Sequence, residues 1–274
     1  MAGVLGRGLP NFGNTCYLNS VLQCLRYSKP FVFMIREHDS SKDNPFLKHF
    51  VDLLFADATR RTLTSFIGNL AVINKEFLML RQCDAHELYL FLIDYFFENN
   101  KKYTNPFEGK FKSTIECQTC NNKSITSTRF ISMSLDMQPN ITNSVSELIE
   151  QFGDYEFMDN IDCETCKEKQ SVMKNIEVES TPDILVVHLK RFIGLQKLMV
   201  NVEIENTIQL NDDTYTLYSM CNHMGGTSGG HYTAACRKQN GNWILCNDDY
   251  ISDVFSLPNK SNTPYVLFYF KTKK

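Results

Sequence analysis

The stretch "GLPNFGNTCYLNSVLQCL", residues 8–25, decides how the first part of this chain folds. A turn rich in Gly and Asn leads to Cys16, directly before an apolar helical pattern. Apolar residues recur there on one helix face, at Tyr17, Leu18, Val21, Leu22 and Leu25. The pattern predicts a helix directly behind Cys16, which places this residue at the helix N-terminus, and Asn14 or Thr15 can cap it.

Two roles are open for the thiol of Cys16. A lone cysteine is most often a small buried apolar residue. At a helix N-terminus, however, the helix dipole favours the thiolate, which is the nucleophilic form. A nucleophile needs a base, and the base needs a group that orients it, so the sequence must supply both.

Composition limits the classes of protein to consider. The chain has 274 residues, of which 43% are hydrophobic and 22% charged, with a net charge of −3. These values predict one large domain or two small ones, argue against disorder, and favour neither a nucleic-acid nor a membrane partner. Since no apolar run approaches the roughly 18 residues of a membrane helix, and the first ten residues lack a signal-peptide core, we expect a cytoplasmic or nuclear location.

Ten cysteines in a chain without a signal peptide argue against a disulfide framework. Two C-x-x-C pairs, "CQTC" at Cys117 and Cys120 and "CETC" at Cys163 and Cys166, predict one structural zinc site with four thiolate ligands. Local disulfides and four buried thiols are the alternatives. The remaining singletons are expected to pack in the core, at Cys24, Cys83, Cys221, Cys236 and Cys246.

The order of apolar patterns predicts an α+β fold. "PFLKHFVDLLF" and "DAHELYLFLIDYFF", the second beginning near Asp84, have helical periodicity. From about residue 107, "KFKSTIEC" and "KSITSTRF" predict a hairpin, and "SVSELIEQF" a short helix capped by Ser144. After about residue 171, runs rich in β-branched and aromatic residues predict a large, mostly antiparallel sheet.

His231 is the candidate base. It follows Gly229 and Gly230, which leave room for the backbone of a substrate to approach. If "GGHYTAAC" and "NWILC" pair through the turn "QNGN", Asn247 and Asp248 lie beside His231 and can accept a ring N–H, which fixes the tautomer. Without further evidence, His231 is equally well explained as a residue at the mouth of a hairpin.

Acyl transfer also needs donors for an oxyanion. Asn11 and Asn14 precede Cys16, and their side-chain amides can act together with the backbone N–H of Cys16. Ordinary turn chemistry explains the two asparagines equally well.

These motifs resemble those of the ubiquitin-specific proteases, a family of papain-like cysteine deubiquitinases. Residues 8–25 are similar to its Cys box, and "YTLYSMCNHMGGTSGGHYTAAC" to its His box. "QCDAHE", "FEGKFKSTIECQTC" and "DILVVHLKRF" are similar to intermediate boxes in the same order. The resemblance covers residues 8–270 and implies a single catalytic domain, 1–274, with a helical thumb (about 1–106), zinc-bearing fingers (107–170) and a palm (171–274).

The resemblance also implies residue roles. Cys16 becomes the nucleophile, His231 the base and Asn11 an oxyanion donor. Asn247, four residues after the strand Trp, becomes the third member of the triad, with Asp248 as a second polar contributor.

For the substrate, the resemblance implies a channel for the tail of ubiquitin. Asp84 and Glu87 would bind its arginine, and Tyr17 and Tyr232 would wall the passage for its terminal Gly-Gly. For Asp84 and Glu87, the ordinary preference for acidic residues at a helix start is an alternative explanation.

Three positions depart from the family pattern. Cys83 follows Gln82 where the family usually has a second glutamine, Phe12 replaces a common leucine, and Cys246 replaces a common phenylalanine. None of them removes a catalytic group.

We therefore expect a deubiquitinase whose partners are ubiquitin, ubiquitinated proteins and, by resemblance, an activating protein. A catalytically silent ubiquitin-binding homologue and a protease for another ubiquitin-like modifier are the alternatives.

Overall fold

In the computed structural model, helices come first along the chain and strands follow. The structure describes residues 7–36, 44–55, 59–77, 82–194, 196–227 and 229–272. The α-helices of these ranges are α1 (Cys16–Arg26), α2 (Lys29–Arg36), α3 (Pro45–Phe55), α4 (Arg60–Ile73), α5 (Ala85–Glu98) and α6 (Val145–Phe152). Within the same ranges, no helix combines the length and apolar character that crossing a membrane requires. The predicted α+β order is confirmed.

Side-chain caps fix two of the predicted helix starts. Asp84 is the N-cap of α5, and its Oδ1 accepts hydrogen bonds from the backbone N–H of His86 and Glu87 at 2.7 and 3.1 Å. Ser144 caps α6 in the same way, through the N–H of Glu147. Both caps satisfy backbone donors that the first turn of a helix leaves unpaired.

A four-stranded antiparallel sheet has the order β2-β1-β6-β5. Its strands are β1 (Gly109–Cys117), β2 (Lys123–Phe130), β5 (Glu156–Cys163) and β6 (Glu168–Ser180). The predicted β1–β2 hairpin is confirmed, and β5–β6 forms a second one. Each C-x-x-C pair lies at the tip of one hairpin, and pairing of β1 with β6 brings the two tips together.

A larger, eight-stranded sheet has the order β15-β14-β13-β12-β17-β7-β3, with β11 paired to β12. Its strands are β3 (Met133–Asp136), β7 (Ile184–Lys190), β11 (Thr207–Leu210), β12 (Asp213–Gly226), β13 (Gly229–Arg237), β14 (Trp243–Asn247), β15 (Tyr250–Val254) and β17 (Pro264–Thr272). The β3–β7 pair is parallel and the other pairs of this sheet are antiparallel. The short strands are β4 (Asn143–Ser144), β8 (Phe192–Ile193), β9 (Gln196–Lys197), β10 (Val202–Glu203) and β16 (Lys260–Ser261).

Both faces of the larger sheet are buried, which explains the nearly continuous apolar run "ILVV" in β7. Ile184 and Val186 belong to the core formed with the N-terminal helices. Leu185 and Val187 belong to a second core that includes α6. Because successive side chains of a strand point to opposite faces, the sheet separates the two cores.

The segment before α1 is joined to the far end of the chain. The N–H of Leu9 donates to the carbonyl oxygen of Asp248 at 2.8 Å. A Cβ on Gly8 would lie 2.2 Å from the carbonyl oxygen of Asp249, so only glycine permits this approach. Together with the packing of α1 on β13, these contacts hold the start of α1 beside the β13–β14 hairpin.

Candidate active site

Cys16 is the first residue of α1, and its side chain is only 4% exposed. Burial raises the pKa of its thiol, and the negative charge of Asp248 adds to that effect. A backbone hydrogen bond from Tyr232 and the amide of Gln82 act in the opposite direction, and Nε2 of Gln82 lies 3.5 Å from Sγ. In the described residues, the side chain that hydrogen-bonds to Sγ of Cys16 is that of Gln82 and not that of His231.

His231 and Asn247 form a hydrogen-bonded pair. Nε2 of His231 lies 2.6 Å from Oδ1 of Asn247, at the start of β13 and the end of β14 respectively. An amide oxygen accepts, so Nε2 carries the hydrogen and Nδ1 is left as the basic nitrogen. The predicted hairpin is confirmed by the pairing of residues 234–237 with residues 243–246, and the two side chains meet just beyond the open end of this ladder.

Asp248 lies at the centre of a polar network. Its Oδ2 accepts a hydrogen bond from Nδ2 of Asn11 at 2.9 Å and lies 4.0 Å from Nε2 of His231. Its Oδ1 accepts from Nδ2 of Asn19 at 2.8 Å. Asp248 has a left-handed backbone conformation, with φ 53°, which Asp adopts more readily than most residues. One carboxylate therefore links α1, the preceding turn and the base.

Asn11 is fixed on both sides of its amide. Its Oδ1 accepts from the N–H of Thr15 at 3.1 Å and from Oγ1 of Thr15 at 3.2 Å, while Nδ2 donates to Asp248. Thr15 is the N-cap residue of α1, as predicted, but its hydroxyl bonds to Asn11 instead of capping the helix. Asn14, the other candidate donor, is exposed on the turn.

Gln82, to which the sequence assigned no role, joins the residues before α5 to the start of β13. Its Oε1 accepts from the N–H of Gly230 at 2.9 Å, and its Nε2 donates to the carbonyl oxygen of Gly230 at 2.7 Å. A Cβ on Gly230 would lie 2.3 Å from Nε2 of His223 and 2.4 Å from the oxygen of Met224. The side-chain face of Gly230 is thus occupied by protein atoms, whereas Gly229 has open space on its side-chain face.

Of the acidic residues expected to bind a tail, Asp84 has both carboxylate oxygens engaged. Oδ1 caps α5, and Oδ2 accepts from the hydroxyl of Tyr265 at 2.5 Å. Glu87, one turn further, is exposed. The two expected channel residues, Tyr17 and Tyr232, are 2% and 4% exposed, so their rings lie mostly within the core.

Comparison with known proteins decides the family. Residues 7–269 match the family model described as ubiquitin carboxyl-terminal hydrolase. The chain belongs to this family. The resemblance to ubiquitin-specific proteases drawn from the motifs is thereby confirmed.

Two curated members of the ubiquitin carboxyl-terminal hydrolase family illustrate the similarity. The chain is 30% identical to the Drosophila melanogaster hydrolase Usp2, over 97% of this chain and 35% of that protein. It is 27% identical to hydrolase 23 of Arabidopsis thaliana, over 98% of this chain and 36% of that protein. The chain therefore spans about a third of the length of these two relatives.

Solved structures of the family share the fold. The SAGA Ubp8/Sgf11/Sus1/Sgf73 DUB module bound to ubiquitin aldehyde matches with a TM-score of 0.82 and 26% identity, over 98% of this chain and 70% of that one. A variant of the same module bound to monoubiquitin matches with a TM-score of 0.84 at 24% identity, over 98% of this chain and 70% of that one.

This member of the ubiquitin carboxyl-terminal hydrolase family has a four-cysteine cluster that can hold a metal ion, at Cys117, Cys120, Cys163 and Cys166. Their sulfur atoms all lie within 4.8 Å of one another, with Cys117–Cys166 at 3.9 Å and Cys120–Cys163 at 3.6 Å. Four thiolates bound tetrahedrally to zinc at about 2.3 Å have sulfur atoms about 3.8 Å apart, so the donor set fits. Backbone hydrogen bonds from Cys120 and Thr119 lower the pKa of Cys117 to about 7, whereas hydrogen bonds with the other cysteines raise the pKa of Cys166. Without a metal ion, the four thiols therefore share protons, and the fit to a metal rests on their geometry.

The ten cysteines are free thiols. Cys24 and Cys221 are fully buried with their sulfur atoms 3.5 Å apart, and Cys236 and Cys246 are buried in the same core. Cys83 is half-buried and donates to the carbonyl oxygen of Glu76 at 3.1 Å. The prediction that these five residues pack in the core is confirmed for the four buried ones, and Cys83 packs at its edge.

Proposed function

We propose that this protein is a cysteine-type deubiquitinase that hydrolyses the isopeptide or peptide bond after the C-terminal Gly of ubiquitin. The observation that carries the proposal is the His231–Asn247 pair at 2.6 Å, in a family whose solved neighbour was captured with ubiquitin aldehyde. Cys16 begins α1, which packs on the strand that carries the oriented His231. Thiol-dependent acyl transfer requires a cysteine and an oriented imidazole that can meet in this way.

In the proposed reaction, Sγ of Cys16 bonds to the carbonyl carbon of the terminal Gly while its proton moves to Nδ1 of His231. His231 then protonates the leaving amine as the C–N bond breaks, and a thioester remains on Cys16. Neutral His231 next activates a water molecule, which releases the carboxylate and restores the thiol. Asn247 keeps His231 in the tautomer that both steps need. For the first step, Nδ1 of His231 takes the hydrogen-bond position at Sγ that Gln82 occupies in the free enzyme.

The proposed oxyanion site consists of the side chain of Asn11 and the backbone N–H of Cys16. Two contacts to Thr15 and one to Asp248 support this role, because they hold the amide of Asn11 in one orientation before substrate arrives. A donor that needs no reorganisation stabilises developing charge most effectively.

For recognition of the substrate tail, we propose that Asp84 and Glu87 bind its arginine. Tyr17 and Tyr232 form the walls of the channel through which the tail passes. Carboxylates near a cleft pair well with a guanidinium group. Open space beside Gly229 is consistent with close approach of the terminal Gly-Gly.

The single-domain division into thumb (about 1–106), fingers (107–170) and palm (171–274) also stays a proposal. It is supported by the order of helices, four-stranded sheet and larger sheet. Two strands depart from it, because β6 crosses the last boundary and β3, within 107–170, belongs to the larger sheet. We propose zinc as the metal of the four cysteines, in a structural role within the fingers. The ten cysteines, none of them in a disulfide, support a cytoplasmic or nuclear location.

Covalent labelling tests the function. The protein is mixed with ubiquitin and with ubiquitin-like modifiers that carry a C-terminal thiol-reactive warhead, and adducts are read by intact mass. We expect one adduct with ubiquitin that Cys16→Ala abolishes while ubiquitin binding persists. An adduct with another modifier alone would transfer the proposal to that modifier. Ubiquitin binding without an adduct would identify a silent binding homologue or an enzyme that needs an activating partner.

A further inference from the structure

The backbone of Gly230 makes the hydrogen bonds that it would be expected to make with an extended peptide. Its N–H and its carbonyl oxygen both bond to one group, the carboxamide of Gln82, at 2.9 and 2.7 Å. In an antiparallel pair, a facing residue exchanges the same two bonds through its own N–H and C=O. The carboxamide of Gln82 therefore takes the place of one backbone unit of a paired strand.

The contact lies on an otherwise open edge of β13. Both backbone groups of one strand residue point to the same side, so Gln82 lies on the side of Gly230 away from β12. On that side, β14 pairs with β13 only from Ala234 to Arg237 in the described residues. The edge at Gly230 is thus available for an added strand when Gln82 leaves.

This edge is next to the reacting atoms. Nε2 of Gln82 lies 3.5 Å from Sγ of Cys16 while it also donates to Gly230. A peptide group that replaced the carboxamide would come within reach of the sulfur. His231 follows Gly230 directly in β13, so the same short segment carries the proposed base.

We infer that Gln82 is a substrate mimic in the free enzyme. Its carboxamide fills the subsite where the backbone of an extended tail ending in Gly-Gly pairs with Gly230. The side chain of Gln82 must therefore move away from Gly230 before substrate binds. The inference rests on the proposed function for the identity of the tail. It makes Gln82 a residue that controls entry to the cleft and access to Cys16.

Rates of covalent labelling by warhead-bearing ubiquitin test the competition. Removing two neutral hydrogen bonds from the closed state should raise the second-order labelling rate about 5- to 150-fold in Gln82→Ala. Gln82→Leu, which keeps bulk but has no amide, should give the same increase. Gln209→Ala is the matched control, because Gln209 is exposed and bonds only to Thr214 in the hydrogen bonds described.

A labelling rate of Gln82→Ala equal to or below that of wild type would overturn the inference. A labelling rate that rises in Gln82→Ala but not in Gln82→Leu would overturn it too. Hydrogen exchange of the peptide containing Gly230, measured without ubiquitin, gives an independent answer. Its amide should exchange faster in Gln82→Ala, and unchanged protection would overturn the inference. A wild-type protein that forms no ubiquitin adduct would count against the proposed function, while the exchange result still decides the role of Gln82.

Discussion

The amide of Asn11 donates a hydrogen bond to the carboxylate of Asp248 across 2.9 Å. This contact joins the turn before Cys16 to the residue after Asn247. Asp248 can therefore act on catalysis in two ways, by holding Asn11 or through its charge 4.0 Å from His231.

A double-mutant cycle separates these two routes. We expect Asn11→Ala to lower kcat by roughly 10²–10³ with little change in KM, because it removes the side-chain donor that we propose for the transition state. If Asp248 acts through Asn11, Asp248→Ala should cost much less in the Asn11→Ala background than alone. Steady-state cleavage of a ubiquitin fusion measures both, with exposed Asp249→Ala as control. Fully additive effects would instead assign the action of Asp248 to His231.

Asp84 combines a structural and a proposed binding role that one pair of variants can separate. Asn caps helices about as well as Asp, so Asp84→Asn should keep the thermal midpoint, whereas Asp84→Ala should lose about 1 kcal/mol of stability. Both variants should raise KM for ubiquitin substrates about tenfold, since both lose the charge proposed to pair with arginine. Thermal unfolding and steady-state kinetics provide the two measurements. A wild-type KM in Asp84→Asn would restrict Asp84 to capping α5 and accepting from Tyr265.

The sequence predicted the parts of the site that depend on local patterns. An Asp directly before an apolar helical run marks the start of α5, and "QNGN" between two strand patterns marks the hairpin that brings Asn247 to His231. Contacts between distant segments left no such signal. Gln82 bonds to Gly230 across 148 positions, and Asn19 bonds to Asp248 across 229.

The same limit applies to the fold. Parallel pairing of β3 with β7 could not be read from the sequence, because β3 has only four residues and shows no useful periodicity. The contact of His223 with the side-chain face of Gly230 could not be read from the sequence either, because a glycine pair looks open until the packing around it is known.

Metal content tests the four-cysteine cluster. We expect about one zinc ion per chain by elemental analysis, because four clustered thiolates form a closed tetrahedral site. Cys120→Ser, or a strong chelator, should lower both the zinc content and the thermal midpoint, since metal binding contributes to folding. Cys83→Ser removes a cysteine outside the cluster and should retain the zinc. A metal-free wild-type protein with an unchanged midpoint would reduce the cluster to four packed thiols.

The stacked imidazoles of His86 and His188 predict how stability depends on pH. Their ring centroids lie 3.8 Å apart, between α5 and β7. Burial lowers the pKa of His86 to about 4, partly offset by Asp84. Burial, with smaller contributions from the charges of His86 and Lys190, lowers the pKa of His188 to about 2.

The surroundings of this pair favour neutral rings. Hydroxyl groups of Ser132 and Ser134 lie 2.8 and 2.9 Å from Nε2 of His86 and Nδ1 of His188 respectively. The ring of Tyr265 packs edge-on against His188. These contacts are satisfied without charge, so burial disfavours protonation of either ring in the folded protein.

The sign of the effect follows from proton uptake. Above pH 6.5, the ordinary histidine pKa, both rings are neutral in the folded and the unfolded chain. As the pH falls from 6.5 towards 4, the unfolded chain binds protons that the folded protein excludes, so the free energy of unfolding decreases. The slope should reach about 1.4 kcal/mol per pH unit for His86 alone.

Urea unfolding at pH 7.5, 6 and 5 measures this slope, with His86→Gln/His188→Gln as the variant that cannot titrate. The variant should be less stable than wild type at pH 7.5, because it loses the packed rings, yet should depend less on pH. The difference between the two proteins should therefore shrink as the medium becomes more acidic. An equal slope in both would mean that other groups, and not this pair, control the response to acid.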